Sequence, residues 1–302
     1  MKIVSIDNFI VIHPKHQKEL RHYGKLFLYT DQPSRDVLCR RVTDADIVIA
    51  FEMTKDTIIA AKKLRMICVS ATGYEKIDIS QARQRGIIVC SCPGFSTEAV
   101  AQHTIGLMLA ASRLICQSST ELRRGVYNPG TYKGKELKGK TLGVIGSGNI
   151  GRRVAEIAKE GFDMNIFYIN TSSKREDFER LLKESDVVAI TAPLTEKTRG
   201  MIGKKEFSCM KKAVVIVNTG RGAVIDEEAL VDNLKSGKIF AAGLDVLTNE
   251  PMDITRPLFS FPNVIITPHI GFNTDEAEFA LSQMVAKNIV QFIQGNPQNV
   301  IV

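Results

Sequence analysis

Three residues of this 302-residue chain have side chains suited to acid–base chemistry on an anionic carbonyl compound. Arg221 stands between two glycines in "VIVNTGRGA" (215–223), Glu250 lies in "LDVLTNEP", and His269 ends the apolar run of "VIITPHIGF". An arginine at the end of a core strand needs a partner, either a carboxylate of the chain or an anion that comes and goes. Reducing a 2-keto acid requires a fixed cation for the carboxylate and carbonyl, a proton donor for the developing alkoxide, and a hydride. Arg221 offers the planar fork that suits a carboxylate. His269 can act as the acid if a carboxylate stabilises its imidazolium, and Glu250 would supply it. Taken singly, the histidine reads equally as a cap and the charges as a structural ion pair; the three together carry the chemical reading.

A hydride needs a carrier, and "GVIGSGNIG" provides Gly146, Gly148 and Gly151 in G-x-G-x-x-G spacing. Spacing alone is weak, since the chain has 22 glycines. The context is stronger, because the motif follows an apolar strand and opens the helical pattern "NIGRRVAEIAKEG". There the first glycine permits a tight turn and the second lets backbone approach a pyrophosphate. The third lets helix pack on strand, and Asn149 and Ile150 begin a helix whose N-terminus faces the anion. At the end of the next strand an acid would hold the ribose hydroxyls and repel a 2′-phosphate. The sequence reads Asn170, Thr171, Ser172, Ser173, Lys174, Arg175 instead. Nothing there excludes NADP, so NAD or NADP is expected as cofactor. The alternative is that Lys174 and Arg175 are solvated charges at a helix start.

These residues must be positioned by strands, and strand-like runs recur along the chain. A first series falls at 2–7, 25–30, 45–50, 65–71 and 87–92, with amphipathic stretches such as 33–42 and 54–63 between. A second falls at 141–146, 164–170, 187–191, 213–219, 241–246 and 263–269. Apolar strands alternating with helices predict an α/β fold of two doubly wound parallel-sheet domains. Arg221, Glu250 and His269 would then share one strand-end crevice. The stretch 97–117, "TEAVAQHTIGLMLAASRLICQ", is apolar on more than one helical face and predicts a helix bridging the domains and meeting a second subunit. A last helix at about 274–294 would cross back to the first domain, leaving a cleft between the two.

Composition narrows the classes. Hydrophobic residues at 44% and charged residues at 24% suit a globular chain, and no apolar run is long enough to span a bilayer. "MKIVSIDNF" lacks the marks of a signal peptide, and six cysteines without a CxxC pair suit reduced thiols, so a cytoplasmic location is expected. The formal charge of +7 is scattered in Lys and Arg pairs without a basic tail. That favours small acidic ligands over nucleic acid. No metal site and no membrane partner are expected.

The chain resembles the D-isomer-specific 2-hydroxyacid dehydrogenases over nearly its whole length. The motifs are "ATGYEKIDISQARQRGIIVCSCPGFSTEAVAQHTIGLMLA", "GKELKGKTLGVIGSGNIG", "APLTEKTRGMI", "VNTGRGAVIDEEALVDNLKSGKI", "AAGLDVLTNEP" and "LFSFPNVIITPHIG". The resemblance implies a flavodoxin-like substrate-binding domain at 1–97, completed by a C-terminal segment at 273–302. It implies a Rossmann NAD(P)-binding domain at 98–272. It also implies catalytic roles for Arg221, Glu250 and His269, and a substrate-carboxylate loop acting through the backbone N–H groups of Ala71, Thr72 and Gly73. Further cofactor contacts are implied for Ala192, Pro193, Thr198, Thr219, Gly220, Asp245 and Gly271, with Asp245 at the nicotinamide carboxamide.

"ATGY", "VAQHT" and "GNPQNVIV" are most similar to glycerate dehydrogenases, also called hydroxypyruvate reductases. Reduction of hydroxypyruvate or glyoxylate is therefore expected, in a homodimer formed through the 97–117 helix. The chain departs from that pattern at Phe51-Glu52, where Asn-Lys is common, at Glu75-Lys76, and at Phe272, where tryptophan is frequent. A 3-phosphoglycerate dehydrogenase is the nearest alternative, although Glu52 disfavours a phosphorylated substrate. A nucleotide-sensing scaffold similar to the C-terminal-binding-protein corepressors is another.

Overall fold

The computed structural model describes residues 1–170 and 172–302, and contacts divide the chain into two units, 1–96 with 273–302 and 97–272. The first unit holds five parallel strands: β1 (Lys2–Ser5), β2 (Lys25–Leu28), β3 (Ile47–Ala50), β4 (Met66–Val69) and β5 (Ile88–Cys90). Their order is β2-β1-β3-β4-β5. Strands β3 and β4 are buried at every position, as strands covered on both faces must be. One face packs Ile3, Ile47 and Met66 against Leu281, Val285 and Ile289 of the helix Asp275–Ile293. The other packs Val4, Val48 and Ile67 against Ile58 and Ala82 from shorter helices.

The second unit holds six parallel strands: β6 (Thr141–Ile145), β7 (Asn165–Ile169), β8 (Val187–Ile190), β9 (Val214–Asn218), β10 (Ile239–Leu244) and β11 (Val264–Ile266). Their order is β11-β10-β9-β8-β6-β7. A Rossmann sheet commonly carries a further strand beyond the second. Here the segment after β7 forms one helix, Arg175–Glu184, and returns directly to β8 on the far side of β6. The reversal of strand order survives and lies between β6 and β8.

The predicted 97–117 helix is two helices, a correction to the sequence reading. Thr97–Ser112 and Ile115–Arg123 are bent by 63°. Leu114 takes a left-handed conformation at φ 55°, which interrupts the i to i−4 hydrogen-bond ladder. The first helix buries Val100, Thr104, Leu107, Met108 and Ala111 against β9, β10 and the helix Asn149–Phe162. The second buries no residue. Among the described residues no single helix is long and apolar enough to cross a membrane.

The first of these helices lies close to β10 because Gly243 has no side chain there. A Cβ at that position would stand 2.9 Å from Leu107 Cβ. Replacing Gly243 by leucine should destabilise the protein by about 1–3 kcal/mol through overpacking. Thermal or urea unfolding measures this, and an unchanged midpoint would contradict the packing described.

Candidate active site

Strands β9, β10 and β11 are parallel neighbours, so the segments that follow them leave one edge of the sheet together. Arg221 follows β9, Glu250 follows β10 and His269 follows β11. His269 Nδ1 meets Glu250 Oε2 at 2.7 Å, with each side chain about one-third exposed. An ionised carboxylate only accepts, so this contact places a proton on Nδ1 and turns Nε2 away from Glu250. Among the described residues Nε2 has no partner. The Phe272 ring meets the imidazole edge-on at 6.1 Å.

His269 has a φ of 56°, an uncommon conformation for a residue with a side chain. Its N–H donates to the carbonyls of Asp245 and Thr267, both at 2.9 Å. The Asp245 carboxylate binds the turn from beneath. It accepts from Thr267 Oγ1 at 2.6 Å and from the N–H groups of Ile270 and Gly271 at 2.9 Å. His103 Nε2 approaches the same carboxylate at 3.3 Å and Thr267 Oγ1 at 3.0 Å. Burial by itself would raise the Asp245 pKa. The hydrogen bonds from His103, Thr267, Ile270 and Gly271 outweigh it and bring the carboxyl down to about 2.

Arg221 is set on its strand end by backbone contacts. Buried Asn218 donates through Nδ2 to Arg221 O at 3.0 Å and accepts from Gly220 N at 3.1 Å. Arg221 Nη1 donates to Gly220 O at 2.9 Å. The flanking glycines are explained by crowding: a Cβ on Gly220 would stand 2.6 Å from Ala192 O, and one on Gly222 would run into the backbone of Leu247.

The glycine turn lies at the β6/β8 reversal. Gly146 has a φ of 105°, and a Cβ there would stand 2.7 Å from Ala192 N, just past β8. A Cβ on Gly151 would strike the Gly146 carbonyl, so the helix Asn149–Phe162 seats tightly on the strand. A Cβ on Gly148 would meet nothing within 4 Å, and no side chain caps that helix. Open space in front of uncapped first-turn N–H groups, including those of Asn149 and Ile150, fits a pyrophosphate.

The remaining predicted cofactor residues divide. Asn170 Oδ1 accepts from Ser172 N at 2.9 Å and Ser172 Oγ at 2.6 Å, closing a turn after β7. Thr171 lies outside the described residues. Arg175 bonds Glu206 at 2.8 Å and Glu179 at 3.1 Å, whereas the Lys174 ammonium has no partner among the described residues. Thr198 accepts from Thr195 N at 2.8 Å and donates to Pro193 O at 2.7 Å, so its hydroxyl braces the loop after Ala192. Buried Thr219 shares a 2.8 Å contact with Thr104. In the first unit, Ala71 O accepts from Cys92 N at 2.9 Å and Thr72 Oγ1 donates to Cys92 O at 3.0 Å. The N–H groups of Ala71, Thr72 and Gly73 donate to no acceptor among the described residues.

The family profile of the D-isomer specific 2-hydroxyacid dehydrogenase NAD binding domain matches residues 105–271. The chain is 39% identical to the glyoxylate reductase of Thermococcus litoralis, covering 94% of this chain and 92% of the relative. It is 41% identical to the hydroxypyruvate reductase of Thermotoga maritima, covering 86% and 88%. It is also 39% identical to the D-3-phosphoglycerate dehydrogenase of Methanocaldococcus jannaschii, but spans only 59% of that protein's length. A solved acyclic imino acid reductase in complex with NADPH and D-Arg superposes with a TM-score of 0.90 at 30% identity, covering 100% of both chains.

The chain belongs to the D-isomer-specific 2-hydroxyacid dehydrogenases.

Within this dehydrogenase His103 is the residue that motif reading passed over. It appears in the sequence only as part of "VAQHT", and its partner Thr267 is 164 positions away. The available signal was a lone histidine in an otherwise apolar helix, which needs a polar partner once partly buried.

The depressed Asp245 pKa sets a pH dependence. The native state holds this carboxyl charged, so its stabilisation is complete above the ordinary aspartate value near 4 and disappears as pH falls towards 2. Asp245→Asn should cost about 2 kcal/mol at pH 7, with the difference from wild type shrinking below about pH 4. Urea unfolding across that range tests it; a pH-independent difference would show that the charge is not what holds the turn.

Proposed function

We propose that this dehydrogenase reduces a small 2-keto acid, with glyoxylate or hydroxypyruvate as the first candidates, to the D-2-hydroxy acid. The observation that carries the reading is the His269–Glu250 contact at 2.7 Å beside the strand end that bears Arg221. When bound, the nicotinamide cofactor supplies the hydride. The Gly146–Gly151 turn would hold its pyrophosphate. Glu250 orients His269 and stabilises its imidazolium, so that Nε2 delivers a proton to the substrate oxygen. Arg221 takes the substrate carboxylate and carbonyl, and the unpaired N–H groups of Ala71–Gly73 suit the same carboxylate. In this reading 1–97 with 273–302 binds substrate and 98–272 binds the cofactor.

Both NADH and NADPH are accepted in this reading. Asn170 carries no charge to repel a 2′-phosphate, and Lys174 is the cation placed to attract one. Arg175 is the weaker candidate because two glutamates already hold it. Lys174→Ala should raise the KM for NADPH several-fold and leave that for NADH within about twofold, since removing one exposed charge costs on the order of 1 kcal/mol. Equal effects on both cofactors would exclude Lys174 from phosphate recognition.

The phosphoglycerate alternative is supported by the M. jannaschii relative over part of that protein's length. A cytoplasmic homodimer is also proposed. Ile115, Leu122, Val126 and Tyr127 are exposed apolar residues on and just after the second half of the bent helix pair, and would form its contact.

Oxidation of NADH and NADPH against glyoxylate, hydroxypyruvate, pyruvate, branched 2-keto acids and phosphohydroxypyruvate tests the activity. Turnover is expected with at least one unphosphorylated acid. Cofactor binding without turnover would favour the nucleotide-sensing scaffold. His269→Ala should lower kcat by about a hundredfold or more, the usual worth of a general acid, while the cofactor Kd stays within about twofold. Comparable losses in both would remove His269 from the proton-transfer role.

A further inference from the structure

The order β2-β1-β3-β4-β5 reverses between β1 and β3. Ligands of open α/β sheets gather at the carboxyl ends of the strands beside such a reversal. In the first unit, the residues that meet there are Phe9 after β1, Phe51 and Glu52 after β3, and Lys76 from the segment after β4. The rings of Phe9 and Phe51 stack with centroids 3.7 Å apart and planes within 5°. Lys76 Nζ stands 4.7 Å from the Phe51 ring centroid and 3.8 Å from Glu52 Oε2.

The segments are fastened to each other. Met53 N donates to Lys76 O at 3.1 Å, and Asp78 N donates to Met53 O at 3.0 Å. The charge of Glu52 also reaches across the reversal to Asp7, just past β1. Burial first, and then the Glu52 charge, hold the Asp7 carboxyl above its ordinary value against the Phe9 N–H and Arg41. The edge thus carries a carboxyl group on both sides of the reversal, Asp7 facing Arg41 and Glu52 facing Lys76.

The Glu52 and Lys76 side chains are 53% and 55% exposed, so their pair adds little to stability. Its consequence is electrostatic. A lysine beside a substrate crevice would attract any additional anionic group, and a glutamate on the same ammonium cancels that attraction.

We propose that Glu52 sets substrate charge: by holding Lys76 it confines the dehydrogenase to 2-keto acids with an uncharged side chain and rejects those bearing a second carboxylate or a phosphate. This rests on the reading that the first unit binds the substrate, and it deepens that reading by naming the class. The Phe9–Phe51 stack keeps the Phe51 ring in place beneath the lysine, so the pair is formed before substrate arrives.

The test compares kcat/KM for glyoxylate and hydroxypyruvate with that for oxaloacetate, 2-oxoglutarate and phosphohydroxypyruvate, in wild type, Glu52→Gln and the double variant Glu52→Gln/Lys76→Met. Wild type should favour the first group by about tenfold or more. Glu52→Gln should raise kcat/KM for the second group on the order of tenfold, the effect of one unit charge about 10 Å away near a surface. The first group should change less than about twofold, and the double variant should lose the gain. Wild-type turnover of both groups alike, an unaltered ratio in Glu52→Gln, or a gain that survives removal of Lys76 would each overturn the proposal while leaving the activity intact. Absence of turnover with every acid in every variant would overturn the proposed activity and this selectivity with it.

Discussion

One buried carboxylate, Asp245, organises the strand-end edge of the second unit that carries Arg221, Glu250 and His269. Asp245 begins the segment after β10 and accepts hydrogen bonds from Thr267, Ile270 and Gly271, which belong to the segment after β11. Two strand ends that would otherwise be independent loops become one bound turn. His269 lies inside that turn in a left-handed conformation, which a residue with a Cβ holds only when its neighbours over-determine it. Without the clamp, the imidazole would have no fixed direction in which to meet Glu250. The resemblance assigned Asp245 to the cofactor; the structure adds that its carboxylate holds the protein's own turn, through two backbone N–H groups and the side chains of Thr267 and His103.

The same economy of backbone space governs the glycine turn and the Arg221 loop. Gly146, Gly151, Gly220 and Gly222 are each pressed by main chain from another segment, so a side chain at any of them would displace a strand end. Gly148 differs, since its missing Cβ leaves open space. Crowded glycines assemble the floor and the open one leaves room above it. Arg221 stands between two crowded positions, which explains why so large a side chain is bracketed by residues with none.

Charge in the first unit follows a different logic. Its strand-end edge combines stacked aromatic rings with two cations, Arg41 and Lys76, and two carboxyl groups, Asp7 and Glu52. In the proposed reading, recognition of a substrate carboxylate there falls to backbone N–H groups at 71–73. Such groups carry partial positive charge, which would leave the side chains around them to discriminate among substrates.

Much of this was readable from residue types. Apolar β-branched runs gave the strands of both parallel sheets, because a strand covered on both faces admits little else. Glycine spacing gave the turn after β6, and strand-end polar residues gave Arg221, Glu250 and His269. The break at Leu114 was not readable, since "ASRLICQ" contains neither glycine nor proline and the left-handed residue is set by its surroundings. Nor was the commitment of Arg175 to Glu179 and Glu206, the reach of His103, or the approach of Lys76 to Glu52. Periodicity and local chemistry are properties of neighbouring residues, and the sequence by itself determined those. Which side chains share a hydrogen bond or cancel a charge depends on how strands far apart in the chain are ordered in a sheet, and only the tertiary structure decided that.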